Sequence, residues 1–130
     1  MVLYDSSLLI DYLDGGEASV DCVKRHSEET AAAVPLVMFE IYQGEVFKSG
    51  DSDFEGLESA LSWIEVIDEK PSYAREAAEL QENLKDAGDP LSARDIYVAG
   101  AASATNEKLV ATDSDFDSSV LRESISVEVL

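Results

Sequence analysis

Five short apolar runs punctuate this chain, at residues 2–4, 31–34, 63–67, 109–111 and 125–129, and each is separated from the next by helical sequence rather than by a tight turn. No Asn-Gly or similar pair joins two of them, so hairpins are not indicated. Strands spaced by helices pair in parallel, because a parallel neighbour can be reached only through a long crossover. The expected fold is therefore α/β: a three-layer α/β/α domain with a central parallel sheet of about five strands, occupying residues 1–130 as a single domain.

The helix signals between the runs are explicit. Asp5, Ser6 and Ser7 suit a helix start, Leu8, Leu9, Tyr12 and Leu13 share one face, and Gly15 and Gly16 end the helix. A second helix is expected over 17–29. Pro35 opens a third that fades near Lys48, and Asp51 or Ser52 caps another from Phe54 to about Leu61. Pro71 opens a long polar helix ended by Gly88 and Pro90, and an alanine-rich buried helix follows from Ser92 to about Thr105. A helical turn near 118–122 leads to the last strand.

Charge narrows the functional classes. The chain has 28 acidic and 9 basic side chains and a formal charge of −19, while 45 % of its residues are hydrophobic, enough for a core. The acids are spread along the whole chain, as a solvated coat rather than a tail. Such a coat suits the cytoplasm of a salt-accumulating halophile, where molar salt screens repulsion over about 3 Å. The longest apolar run, 31–39, contains a proline and is far shorter than the roughly 20 residues of a membrane span. Nothing marks an export signal, and the one cysteine, Cys22, cannot pair internally; a reducing cytoplasm is expected.

In an open parallel sheet, ligands bind beyond the carboxyl ends of the strands, where the winding reverses. Asp5 ends the first run, and Asp113 follows the fourth, which would lie beside the first if the chain winds outward and then crosses back. Asp95 lies in the first turn of the apolar helix, Glu40 in the helix after the second run, and Asp115 shares a loop with Asp113. Clustered carboxylates raise the cost of ionising one another and call for a cation. Oxygen ligands without histidine or cysteine favour Mg²⁺ or Mn²⁺ over zinc. Such cages serve attack of water on phosphodiesters.

These segments resemble the PIN-domain ribonucleases, and within them the VapC toxins of prokaryotic toxin–antitoxin pairs. Val-Leu-Tyr-Asp-Ser-Ser-Leu-Leu at 2–9 looks like the family's opening strand and first acid, Asp5. Val-Met-Phe-Glu-Ile-Tyr at 37–42 is similar to the helix of the second, Glu40. Ala-Arg-Asp-Ile-Tyr-Val-Ala-Gly at 93–100 resembles the segment of the third, Asp95, and Thr-Asp-Ser-Asp-Phe at 112–116 resembles the D-x-D-F loop of the fourth and fifth, Asp113 and Asp115. The resemblance implies an endoribonuclease with Asp5, Glu40, Asp95 and Asp113 catalytic, Asp5, Asp95, Asp113 and Asp115 on Mg²⁺ or Mn²⁺, and Ser7 in support. It also implies an RNA substrate, a homodimer, and a VapB-like antitoxin whose arginine enters the acid cluster. The chain departs from the family in carrying Ala111 where a threonine is common, and in having few basic residues near the cleft, Arg94 and Lys48 being the nearest.

Two further readings are a housekeeping RNA-processing nuclease and a catalytically silent acidic module that docks a basic partner. Singly, Asp5 reads as a helix cap and Asp95, three residues after Ser92, as part of a capping box. The alternation at Asp113, Asp115 and Asp117 lacks the glycine and glutamate of a calcium-binding EF-hand loop. A phosphoacceptor built on Asp68 lacks the lysine it needs, and a haloacid-type phosphatase would need an aspartate at Ser7. Asp11, Asp14 and Asp117 read as solvated surface, Cys22 and Trp63 as packing residues, and His26 as a surface helix residue, so that a zinc site is not expected.

Overall fold

The computed structural model describes all 130 residues. The strands are β1 (Val2–Tyr4), β2 (Ala31–Ala33), β3 (Ile64–Val66), β4 (Lys108–Ala111) and β5 (Val127–Val129). They form one five-stranded sheet, all parallel, in the order β3-β2-β1-β4-β5. The chain thus winds outward from the centre to β3, returns across the sheet, and continues from β4 to the opposite edge. The winding reverses between β1 and β4, as the position of the acids requires.

Seven helices cover the sheet: α1 (Ser6–Leu13), α2 (Glu17–Arg25), α3 (Pro35–Phe47), α4 (Phe54–Ala60), α5 (Pro71–Asp86), α6 (Ala93–Thr105) and α7 (Ser119–Ser124). On one side α1 packs on α2, α3 and β4; on the other α6 packs on β4, and α5 packs on α6 and α7. This is the expected three-layer arrangement. Strands only three or four residues long suffice because both faces are buried: Val2, Leu3 and Tyr4, and Leu109, Val110 and Ala111, are at most 2 % exposed. They belong to one continuous core of 30 buried residues.

Local chemistry sets the ends of the elements. Pro35 and Pro71 occupy the first helical position, where a missing N–H costs nothing. The side chains of Asp5, Asp53, Ser92 and Ser118 each accept a hydrogen bond from a backbone N–H of the helix they precede. Asn106, in the left-handed region at φ 54°, ends α6 so that the chain turns directly into β4. The expected second helix stops at Arg25 rather than Glu29, since His26 leaves helical geometry and the chain must turn to enter β2. The outer strands are also shorter than their apolar runs, at 64–66 and 127–129, because pairing ends where the neighbouring strand ends.

Candidate active site

The crevice at the carboxyl ends of β1 and β4 is built by four elements. Asp5 directly follows β1, and its backbone N–H donates to the carbonyl of Val110 at 2.9 Å, so the ladder itself fixes the Cα. Its side chain, 1 % exposed, caps α1 by accepting from the Ser7 N–H at 3.1 Å. The Ser7 hydroxyl donates to the same oxygen, Oδ2, at 2.5 Å. That hydroxyl oxygen in turn accepts from the backbone N–H groups of Thr112 and Asp113 at 3.1 and 3.3 Å. Ser7 therefore couples the first acid to the loop that carries the fourth, and leaves Asp5 Oδ1 facing the crevice.

Arg94 occupies the centre. Its guanidinium donates from Nη2 to Asp5 Oδ1 and from Nη1 to Asp95 Oδ1, both at 2.6 Å. Nε donates to both carboxylate oxygens of Glu40 at 2.7 Å, and Nη2 also reaches Glu40 and the Ser6 hydroxyl. The Ser6 hydroxyl itself donates to Glu40 Oε1 at 3.3 Å. The five donors of a planar guanidinium serve three carboxylates and the Ser6 hydroxyl together, more acceptors than the three donors of a lysine ammonium could satisfy. Burial works against the guanidinium charge, but Glu40, Asp5 and Asp95 outweigh it and push its pKa well above the ordinary value. Because Glu40 comes from α3 and Asp95 from α6, the arginine ties the two helical layers together across the end of the sheet.

Asp95 has two roles in the structure. Its N–H donates to the Ser92 hydroxyl at 3.2 Å, the helix-start bond expected from the spacing, while its 5 % exposed carboxylate faces the crevice. Oxygens of Asp95, Asp113 and Asp115 lie within 4.8 Å of one another. Asp113 caps the short 3-10 turn Ser114–Phe116 by accepting from the Asp115 N–H at 2.9 Å, which folds Asp115 back toward it. Five carboxylates and one guanidinium give the crevice a formal charge of −4. That is an all-oxygen donor set of the kind hard divalent cations take, so the residues present fit Mg²⁺ or Mn²⁺.

All six side chains singled out from the sequence, Asp5, Ser7, Glu40, Asp95, Asp113 and Asp115, are thus brought to one crevice. The sequence reading missed the parts played by Ser6 and Arg94. Arg94 drew notice only as a scarce basic residue, and its position beside Asp95 in the first turn of a buried helix was the available signal. Two other expectations are corrected. Asp11, expected as solvated surface, accepts from the Ser19 hydroxyl at 2.6 Å and links α1 to α2. His26, expected on the surface, has a side chain only 10 % exposed and meets Cys22 and Glu128.

An acid-lined crevice at the switch point of a parallel sheet places this chain among the α/β proteins whose sites lie at the carboxyl ends of their strands. The PIN-domain family model matches residues 2–119, and the chain belongs to that family. A comparison with curated protein sequences finds no match. Among solved structures, the chain is similar to VapBC2 from Rickettsia felis bound to a promoter DNA fragment, at 18 % identity and a TM-score of 0.83 over 100 % of this chain and 99 % of that one. DNA-bound VapBC from Salmonella typhimurium gives 16 % identity and 0.80, over 98 % and 96 %. FitAcB from Neisseria gonorrhoeae gives 19 % and 0.76, over 98 % and 96 %. At these identities the likeness is one of fold.

Proposed function

We propose that this protein is a Mg²⁺- or Mn²⁺-dependent endoribonuclease and the VapC-like toxin of a toxin–antitoxin pair. One observation carries the reading: on a PIN fold, Asp5, Glu40 and Asp95 converge on the Arg94 guanidinium while Asp113 and Asp115 adjoin Asp95. PIN domains are generally nucleases, and several similar structures are of VapBC complexes.

Asp5, Asp95, Asp113 and Asp115 would hold the ion. Once bound, it supplies the positive charge that activates water for attack and offsets negative charge developing on the phosphodiester. The chain's own residues do the positioning. Ser7 locks Asp5 in one orientation, and Glu40 grips the Nε edge of Arg94 and keeps the guanidinium at the crevice, where it can face a phosphate. Beside Asp115, a groove of about 270 Å³ is bordered by Ser92 and Ser114 together with the carboxylates of Asp89, Asp115 and Asp117, so an RNA phosphate would enter it only with cations that offset those charges. Ile10, Phe39, Val46, Phe47 and Phe54 leave apolar surface exposed on α1, α3 and α4, and we assign it to the antitoxin. The same reading carries a cytoplasmic homodimer.

The test is RNA cleavage in molar KCl with and without Mn²⁺. Asp5→Asn and Asp95→Asn should each reduce metal-dependent cleavage to background while the fold is retained. Undiminished cleavage in both variants would remove these acids from the mechanism, and absence of Mn²⁺ binding by calorimetry would favour an acidic docking module instead.

A further inference from the structure

We propose that Cys22, His26 and Glu128 form a second metal site, for a borderline-soft divalent ion of the zinc type, which pins the edge strand β5 to helix α2. It is separate from the acid crevice in both residues and ligand chemistry.

Cys22 and His26 are four residues apart, so they lie on one side of α2 and its C-terminal cap, one turn apart. Glu128, 102 residues beyond His26, comes to them from β5. Ligand atoms of the three lie within 4.8 Å of one another. Glu128 Oε2 is 3.0 Å from His26 Nε2, and Glu128 Oε1 is 4.0 Å from the Cys22 sulfur. A tetrahedral zinc ion with bonds of roughly 2.0–2.3 Å holds its ligands about 3.5 Å apart, a modest adjustment of side chains already gathered.

The surroundings match a ligand set. Glu29 Oε2 lies 2.5 Å from His26 Nδ1, the carboxylate-behind-imidazole arrangement that orients the ring and directs Nε2 at a metal. Sulfur, nitrogen and one carboxylate favour zinc over the hard ions suited to the acid crevice. Cys22 is fully buried, with its sulfur on the Glu128 side of α2. On binding, the thiol proton and the proton between His26 Nε2 and Glu128 Oε2 would leave to solvent as the sulfur–metal and nitrogen–metal bonds form, while Nδ1–H keeps its bond to Glu29. Arg25 donates to Glu128 Oε1 at 2.7 Å, but its side chain is 57 % exposed and can swing into water. His26 and Glu29 also border a cavity of about 380 Å³ lined by Tyr4, Tyr12 and Trp63. Three protein ligands leave a fourth position for water.

The experiment uses the full chain, stripped with a chelator, in molar KCl and in an Asp95→Asn background so that the crevice contributes little. Co²⁺ serves as the spectroscopic probe and Zn²⁺ as the titrant. One equivalent of Co²⁺ should give a thiolate charge-transfer band and tetrahedral visible bands, and Zn²⁺ should displace it. Cys22→Ser should abolish the charge-transfer band. His26→Gln and Glu128→Gln should each weaken zinc at least about tenfold, and Glu29→Gln about tenfold through ring orientation. Zinc at a hundredfold excess over its Kd should raise the melting temperature by roughly 5–10 °C. Absence of the thiolate band overturns the proposal, as does zinc affinity unchanged by His26→Gln and Glu128→Gln; the three side chains are then an ion-pair cluster around a packing cysteine. Those two variants alter partly exposed groups and keep the test decisive should Cys22→Ser fail to fold. Either outcome leaves the nuclease assignment untouched.

Discussion

Arg94 holds apart three carboxylates that would otherwise face one another across the crevice. Removing it leaves buried negative charge without a partner, a loss of several kcal/mol when a pair is fully buried and less here because the arginine side chain is 25 % exposed. Arg94→Gln should therefore lower stability in metal-free buffer by about 2–3 kcal/mol in chemical denaturation. Because the guanidinium and a divalent ion share Asp5 and Asp95, the same variant should bind Mn²⁺ more tightly by calorimetry, and Mn²⁺ should restore its stability. Looser Mn²⁺ binding would show that the arginine assists the ion rather than competing with it. Glu45 makes a smaller contribution. Its carboxylate takes the Lys48 ammonium at 2.5 Å and the Asp53 N–H at 2.8 Å, and Lys48 first, then that N–H, hold its pKa below the ordinary 4.5. A depressed carboxyl stabilises the fold above its unfolded value and loses that contribution as the pH falls through the folded one. Glu45→Gln should therefore melt slightly below the parent at pH 7, with the gap closing below pH 4.5, as thermal melts across pH would show.

At the scale of elements, α5 and α6 share the most extensive contact in the molecule. A Cβ on Gly100 would lie 2.6 Å from the Ala77 Cβ and 2.7 Å from its Cα and backbone nitrogen. Backbone cannot yield as a flexible side chain can, so the helices would have to separate. Gly100→Ala should cost roughly 1–3 kcal/mol by chemical denaturation despite its better helix propensity. Because α6 carries both Arg94 and Asp95, the variant should also reduce cleavage. The run of small residues at 99–102 was legible in the sequence as a buried helix, but its close partner was not: α5 reads as a polar helix, and only packing shows that Ala77 is where the two backbones approach. Likewise Glu40 stood out as an acid among apolar neighbours, yet nothing in its own helix indicated that its partner would be Arg94, 54 positions away.

For the whole molecule the dominant property is a formal charge of −19 on 130 residues. Repulsion among scattered carboxylates opposes compaction, and added salt screens it. If the chain is adapted to a salt-accumulating cytoplasm, its melting temperature should climb by several degrees as KCl rises from about 0.1 M to about 2 M. A flat or falling profile would contradict that origin. RNA should bind better over the same range when Mn²⁺ is present, which is opposite to the usual salt response of nucleic-acid binding.

The sequence by itself determined the alternation of strands and helices, the parallel sheet, and the five acids at its carboxyl edge, because these follow from local periodicity, capping and the rule that parallel strands need crossovers. Tertiary structure decided which side chains meet. Arg94 became the hub of the crevice, and Cys22, His26 and Glu128 became neighbours, through contacts spanning 54 to 106 positions. No local pattern encodes such pairings, since they arise only when the crossover brings β4 beside β1 and the two helical layers close over the sheet.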